Sequence, residues 1–474
     1  MPSTVEAVLD QIAKRVTPDE HERRKMVKLS DSLMRKVEEI LARASINGTV
    51  TLQGSFARDT WLRGETDIDI FIRFPTTMDR KEWIDNALLS IKKHLSQYHI
   101  IERYAEHPFL EFHVDGIRVN IVPCYDVSQG AWKSATDRTP FHTEYMKTKL
   151  TSDLRREARL LKKFAKAIGV YGAEIEVGGF SGMLVDTLAL YHGSFLETMK
   201  QARTWTPGTR LEIGKPASYV ESKKREVGVD LVVIDPVDPD RNLAAAVRPE
   251  RLWTFVAAGR QFLKAPGPWF FFPPRFTKKT KADFARLLDQ PGHEIVAVSF
   301  RHRDLVPDVL WGQLLKLERS LVDLLAREDF QIYRSKIWSD EKHESAILMD
   351  VEQSNLPSLR VQRGPPIYKT EDSNGFLDRH LGASDTIRGP WVDTDRWMIA
   401  KKRKISSIAT LVKTSLRLQG HGLAVPKQIG EILARTVKVH EGREVLSLIE
   451  KDGFDETLWN FLEAKPQWLR QGRP

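Results

Sequence analysis

Apolar positions recur at helical spacing over residues 5–45: Val5, Val8, Leu9 and Ile12, then Met26, Leu29, Leu33, Val37, Ile40 and Leu41. Residues 49–53 read as a strand. A Gly-Ser turn and a helix starting near Phe56 follow, then a strand over 67–73 whose Ile68, Ile70 and Phe71 can meet a core. A helix is predicted over 80–97 through Trp83, Leu88, Leu89, Ile91 and Leu95. Strands are predicted near 100–106, 109–114 and 117–122, the last two joined by Asp115-Gly116, a hairpin signal. These elements make a first module, residues 1–150. Residues 151–265 form a second, mostly helical module, punctuated by Gly178-Gly179 and Gly193. It contains a loop and strand within 215–235 and a helix over 249–264. Pro266 to Pro274, with three phenylalanines between prolines, reads as an ordered apolar boundary. In the third region, 266–474, a strand at 294–300, a helix at 307–327 and strands at 330–338, 345–352 and 358–363 predict a small α+β sandwich. Residues 375–474 read as helices. The fold class is α+β and multidomain, with no internal repeat.

The chemistry concentrates between Gly54 and Phe71. Asp67 and Asp69 lie two apart on one strand, so they share a face and repel each other. A divalent cation relieves such repulsion, and Mg²⁺ takes carboxylate oxygens together with substrate phosphates. The Gly54-Ser55 amides offer N–H groups to a triphosphate. Cation-holding carboxylates beside a phosphate cradle describe metal-dependent nucleotidyl transfer. The alternative, two exposed acids on an ordinary strand–helix–strand, leaves the acids within an apolar strand unexplained.

Composition adds limits. Length 474 suits three or four domains, and 41% hydrophobic with 29% charged residues suits globular ones. A net charge of +9 favours an anionic partner, nucleic acid being the commonest, although a generically basic protein would look the same. A lone cysteine, Cys124, excludes an internal disulfide and fits a reducing compartment. No apolar run reaches the roughly 18 residues of a membrane span, and the N-terminus lacks a signal-peptide design. A cytoplasmic location is expected.

The ordered Gly-Ser…Asp-x-Asp signature resembles the polymerase-beta-like nucleotidyltransferases. Further blocks narrow the resemblance. They are Tyr104 to Pro108, Val122-Pro123-Cys124-Tyr125, Asp137-Arg138-Thr139-Pro140-Phe141-His142, Val170 to Glu174, Gly178 to Gly182, Gly193 to Glu197, and Val233 to Asn242. In this order they are similar to archaeal-type (class I) CCA-adding enzymes, the tRNA nucleotidyltransferases. The resemblance is dense over about 50–275 and thinner beyond. It implies a nucleotidyltransferase head of mixed sheet plus helices, a helical central domain that binds the base, and an α+β C-terminal region with an RNA-binding tail. It also implies Mg²⁺ as cofactor, with CTP, ATP and the acceptor and T arms of tRNA as partners and no membrane; a homodimer stays open.

The resemblance assigns metal-binding and catalytic roles to Asp67, Asp69 and a third carboxylate on the strand before Val122-Pro123-Cys124-Tyr125. That third position holds Asn120. An amide can offer an oxygen but neither neutralises a cation nor acts as a base, so a loss of roughly 10²-fold or more in rate is expected. Asp115, at the hairpin turn about 15 Å along the strand, is too far away to substitute. An engineered knock-out, a natural variant and a catalytically silent tRNA-binding relative all stay open, the single-carboxylate deletion looking most like the first. Ser55 and Arg58 are expected to contact the triphosphate, and Thr139, His142, Lys162 and Tyr171 to line the nucleotide. Either Lys162 or Lys163 could instead face solvent, and His142 alone could be structural. Arg241 is the candidate base reader, its planar fork suiting cytosine and adenine, with an ion pair to Asp238 or Asp240 as the alternative. In the C-terminal region no stacking-aromatic signature is visible. The run Lys401-Lys402-Arg403-Lys404 could be a nuclear signal, a solvated face or a phosphate-contacting stripe, the last being our reading.

Together these residues predict template-independent addition of C, C and A to tRNA 3′ ends. A silent tRNA-binding scaffold is favoured only by Asn120. A poly(A)-polymerase-like or oligoadenylate-making enzyme would share the Gly-Ser…Asp-x-Asp head but not the Asp137–His142, Tyr171–Glu174 and Asp235–Asn242 blocks.

Overall fold

A computed structural model describes residues 5–104, 107–219, 229–417 and 423–470. The end of the strand expected to reach 106, and most of the loop expected before 231, lie outside these residues. The chain divides into two compact units, one comprising Met1–Arg275 with Lys465–Pro474, the other Phe276–Ala464.

In the first unit five strands form a sheet in the order β1 (Thr49–Gln53), β2 (Asp67–Phe74), β5 (Ile117–Tyr125), β4 (Pro108–Val114), β3 (Ile101–Tyr104). Within this sheet only β2 and β5 pair in parallel. Alternation along β2 buries Ile68, Ile70, Ile72 and Phe74 and leaves Asp67 and Asp69 half-buried on the other face. The helix Glu20–Arg43 covers the apolar face with Met26, Leu33, Val37, Ile40 and Leu41. Asp115 and Gly116 both take positive φ, +52° and +78°, and close the β4–β5 hairpin as the sequence predicts. The expected helix over 80–97 is helical over 80–94, with a π-helical middle; Leu88 and Ile91 are buried in it but Leu89 is 62% exposed.

Helices Ser152–Ala167, Gly182–His192, Phe195–Ala202 and Pro249–Lys264 build a second core, which also takes in the helix Val5–Val16, and β6 (Thr209–Leu211), β7 (Ser218–Tyr219) and β8 (Leu231–Val233) form a small three-stranded sheet. Phe164 sits at its centre among the rings of Phe195, Phe255, Phe262, Phe270 and Phe271, at centroid distances of 5.4–6.2 Å. Of the proline-flanked phenylalanines, Phe270 and Phe271 are therefore core residues, and Phe272 packs half-buried against them.

The second unit has an antiparallel sheet in the order β10 (Ile332–Ser339), β11 (Glu344–Val351), β9 (Glu294–Arg301), β15 (Lys438–Glu441). Its central strands are apolar on both faces because both are covered. Helix Pro307–Arg327 meets Val296, Val298 and Phe300, whereas helices Lys281–Leu288 and Phe454–Glu463 meet Ile295 and Ala297. Two expectations fail here. The strand read at 358–363 leaves this sandwich: β12 (Leu359–Pro366) joins β14 (Arg396–Lys402) and β13 (Thr386–Asp393) in a separate three-stranded sheet. Residues 386–402, read as helical, are therefore a hairpin, and β15, in the same stretch read as helical, is likewise a strand. The turn Asp393-Thr394-Asp395, with Thr394 at φ +56°, reverses the chain, and β14 is half-buried at its start and buries Ile399 and Ala400 in succession. Lys401 and Lys402 accordingly end a strand rather than start a helix. Arg403 is committed internally, its Nη1 lying 2.8 Å from Asp329 Oδ2.

Candidate active site

Gly54 explains why the turn after β1 and the carboxylates of β2 occur together. It takes φ +73°, and a Cβ on it would lie 1.9 Å from Asp69 Oδ2. The helix that follows starts at Gly54 itself, not near Phe56, and lasts one turn, Gly54–Ala57. Ser55 is half-buried on that turn, which packs against helix Thr139–Lys149. Thr139 opens that helix, half-buried, with Pro140 beside it in the first turn.

Parallel pairing of β2 with β5 sets Asp67 beside Arg118 and Asp69 beside Asn120. Asp67 is ion-paired with Arg118. Asn120 Nδ2 donates to Asp69 Oδ1 at 2.9 Å, while Asn120 Oδ1 is buried without a hydrogen-bond partner. Burial pushes the Asp69 carboxyl up from its ordinary value; the neighbouring Asp67 charge adds to this, while the Asn120 hydrogen bond and Arg58 oppose it. Among the described residues no three His, Cys, Asp or Glu side chains gather as a metal cluster. The donors present are two carboxylates and one orphaned amide oxygen, all hard oxygen ligands, and a buried carboxylate with a raised pKa calls for a positive partner. This set fits a hard divalent cation.

A second group gathers around Asp186, which is fully buried on helix Gly182–His192. Arg58 Nε lies 2.8 Å from Asp186 Oδ2, and Thr60 Oγ1 donates to the same oxygen at 3.1 Å. Of the two lysines left open by the sequence, Lys162 is the inward one. Its Nζ donates to the Thr60 carbonyl at 2.8 Å and lies 5.9 Å from the Tyr171 ring centroid. Burial pushes Lys162 down to about 8, Asp186 opposing the shift. Lys163 instead pairs with Glu65 at 2.6 Å. Burial raises the Tyr171 phenol, with Asp186 adding to the rise.

A third group centres on Asp235, also fully buried. His142 Nε2 lies 2.8 and 2.9 Å from its two oxygens, Arg241 Nη1 donates to Oδ2 at 3.0 Å, and the Val237 amide donates to Oδ1 at 3.0 Å. Arg241 therefore has neither of the partners named from sequence. Asp238 is taken by Arg138 at 2.5 Å, and a strand-like bridge between Ile234 and Asn242 brings Arg241 back beside Asp235. Burial would raise the Asp235 carboxyl, but the His142 hydrogen bond and charge, the Val237 amide and the Arg241 charge together outweigh it and hold the group low.

The structure thus gathers Arg58, Lys162 and Tyr171 in one group and His142 with Arg241 in another. Sequence reasoning missed both buried acids. Asp186 had a usable signal, a lone carboxylate inside the apolar helical run Met183 to Leu190, which cannot be buried without a cation.

Residues 34–142 match the nucleotidyltransferase domain, residues 156–272 the second domain of tRNA nucleotidyltransferases, and residues 291–442 the C-terminal domain of CCA-adding enzymes. A CCA-adding enzyme of Pyrobaculum islandicum is 37% identical over 417 residues, covering 87% of this chain and 94% of that one. One from Methanosarcina mazei is 31% identical over 445 residues, covering 93% and 95%. Among solved structures, a Cid1 poly(U) polymerase aligns over 56% of this chain and 96% of its own, at 14% identity and TM-score 0.44.

Proposed function

The chain belongs to the CCA-adding enzymes and is a tRNA nucleotidyltransferase, and from that premise we propose that it adds C, C and A in turn to the tRNA 3′ end from CTP and ATP, without a nucleic-acid template, at a rate lowered by Asn120. The observation that carries this reading is the contact of Gly54 with Asp69, which sets the Gly-Ser turn directly against a paired-carboxylate strand.

The roles follow from the chemistry of each group. Ser55 and the backbone of its turn donate hydrogen bonds to the triphosphate, while Arg58 and Lys162 meet its charge from the Asp186 side. Tyr171 closes the apolar wall beside Lys162. Thr139 and His142 border the nucleotide on the adjoining helix. Arg241, one guanidinium nitrogen held by Asp235, keeps its other N–H groups for the acceptors of cytosine or adenine. Asp67, Asp69 and the Asn120 oxygen would hold Mg²⁺, which when bound supplies charge neutralisation at the α-phosphate and activation of the primer 3′-OH. The 3′-hydroxyl gives up its proton to solvent, its oxygen bonds to the α-phosphorus, the α–β bridging bond breaks, and pyrophosphate leaves with its charge met by Arg58 and Lys162. Asn120 offers an oxygen but no negative charge, and this is the source of the lowered rate. The basic second and third family regions take the acceptor and T arms of tRNA through shape and phosphates.

The test is incorporation of labelled CTP and ATP into tRNA lacking CCA. Incorporation of two C residues and then one A, lost in Asp67→Ala, supports the reading. Incorporation unaffected by Asp67→Ala overturns it. Tight tRNA binding with no incorporation in either the chain as given or Asn120→Asp would favour the silent scaffold.

A further inference from the structure

Asn120 leaves a charge missing on the face that carries Asp67 and Asp69, and the next strand carries an acid that nothing above uses. Register sets Asp69 beside Asn120 and Asn120 beside Glu111 of β4. Residues paired across a sheet point to the same side, so Asp69, Asn120 and Glu111 form one row across β2, β5 and β4. Glu111 is 7% exposed, in a strand whose Leu110 and Phe112 neighbours are buried core residues. Its Oε1 receives both Arg103 Nε at 3.3 Å and Arg103 Nη2 at 2.9 Å from β3. Beside it, the Asn120 Oδ1 is buried and lacks any donor.

We infer that Glu111 serves as the third carboxylate of the cation site, standing in from the neighbouring strand for the charge that Asn120 lacks. The inference rests on the cation-site reading above. Opposed Cβ atoms lie about 4.5–5.5 Å apart. A glutamate carries its carboxylate one methylene farther than an aspartate, which offsets part of that lateral gap. Turning from Arg103 toward Asn120 brings the Glu111 charge beside the place an aspartate at 120 would fill. The Asn120 oxygen and the Glu111 carboxylate are then two adjacent acceptors, an arrangement a cation satisfies. Being one strand displaced and shared with Arg103, Glu111 is a weaker ligand than an aspartate at 120. A chain with Glu111 therefore retains activity that Asn120→Asp still increases.

A purely structural Glu111–Arg103 pair makes a different forecast, and Mn²⁺ titration of the full chain, read by electron paramagnetic resonance of the free ion, separates the two. Glu111→Gln keeps the shape and removes the charge; Mn²⁺ affinity should fall about tenfold, within the range for groups that tune metal sites. Arg103→Gln frees Glu111; affinity should rise severalfold. In the Asn120→Asp background, Glu111→Gln should have little effect. Shifts of the same sign in Glu111→Gln and Arg103→Gln, or no shift in Glu111→Gln, would overturn the inference. Asp67→Asn separates the two levels: if it leaves Mn²⁺ binding intact, the cation-site reading itself fails, whereas if it abolishes binding and Glu111→Gln does not weaken it, only the role of Glu111 is lost.

Discussion

Replacing Asn120 with aspartate adds one negative charge at a half-buried position whose amide already touches Asp69 at 2.9 Å. A unit charge added about 4 Å from a cation is worth about 4 kcal/mol at the effective dielectric of a protein site. Discounting for the half-open setting leaves about 3 kcal/mol, or roughly 10²-fold in rate. The same charge repels Asp69 when no cation is present, so the variant should melt lower without metal and gain more from added Mg²⁺ than the parent does. The assay is single-turnover CMP and AMP addition to tRNA ending before CCA, with tRNA affinity measured in parallel. Affinity should change little because the ground-state contacts are spread over a large basic surface. Equal rates for the two forms would refute the assignment of position 120 to the reacting site. A faster variant whose melting temperature rises in the absence of metal would refute the electrostatic reasoning behind the magnitude.

Asp69→Asn should end transfer while stabilising the metal-free chain, because it removes a carboxyl held above its ordinary pKa by burial. With the folded pKa raised, the folded form keeps its proton longer than the unfolded form as pH climbs through the carboxylate range. Stability is therefore favoured below the unfolded value and lost as pH rises through the folded one, and chemical denaturation from pH 3 to 7 should show that slope flatten in the variant. Lys162, pushed down to about 8, is charged below that pH and neutral above it, so KM for CTP should rise as pH passes about 8. Lys162→Arg should remove that dependence, and an unchanged KM–pH profile would count against Lys162 at the triphosphate. Phe164→Ala should cost about 3–5 kcal/mol in urea unfolding, the range for a buried aromatic, since five other phenylalanine rings close on it; a loss below 1 kcal/mol would place the core of this region elsewhere.

Local signals were readable. Asp67 and Asp69 share a face because strands alternate, and Asp115-Gly116 fixes the hairpin that sets Asn120 beside Glu111. The anchors of the other site residues were not, because they are long-range. Arg58 reaches Asp186 across 128 positions and His142 reaches Asp235 across 93, and no periodicity reports such pairs. Arg241 was matched to its sequence neighbours Asp238 and Asp240, but the chain folds back through the Ile234–Asn242 bridge and delivers Asp235 instead. In the second unit the hairpin 386–402 was read as helix. Its register shifts around Arg388 and Trp391 blur the two-residue period by which a strand declares itself.

Asp235 also constrains how this protein can change. One carboxylate holds donors from two separate segments, His142 on a helix and Arg241 on a turn. Replacing Arg241 strips a cation from a fully buried anion, which must then protonate or draw His142 closer; replacing His142 has the mirror effect. Single-step substitutions at either place are thus penalised for reasons unrelated to the nucleotide. With Arg241 as the proposed base reader, a redesign for another base would have to alter all three residues at once, or begin by making Asp235 neutral.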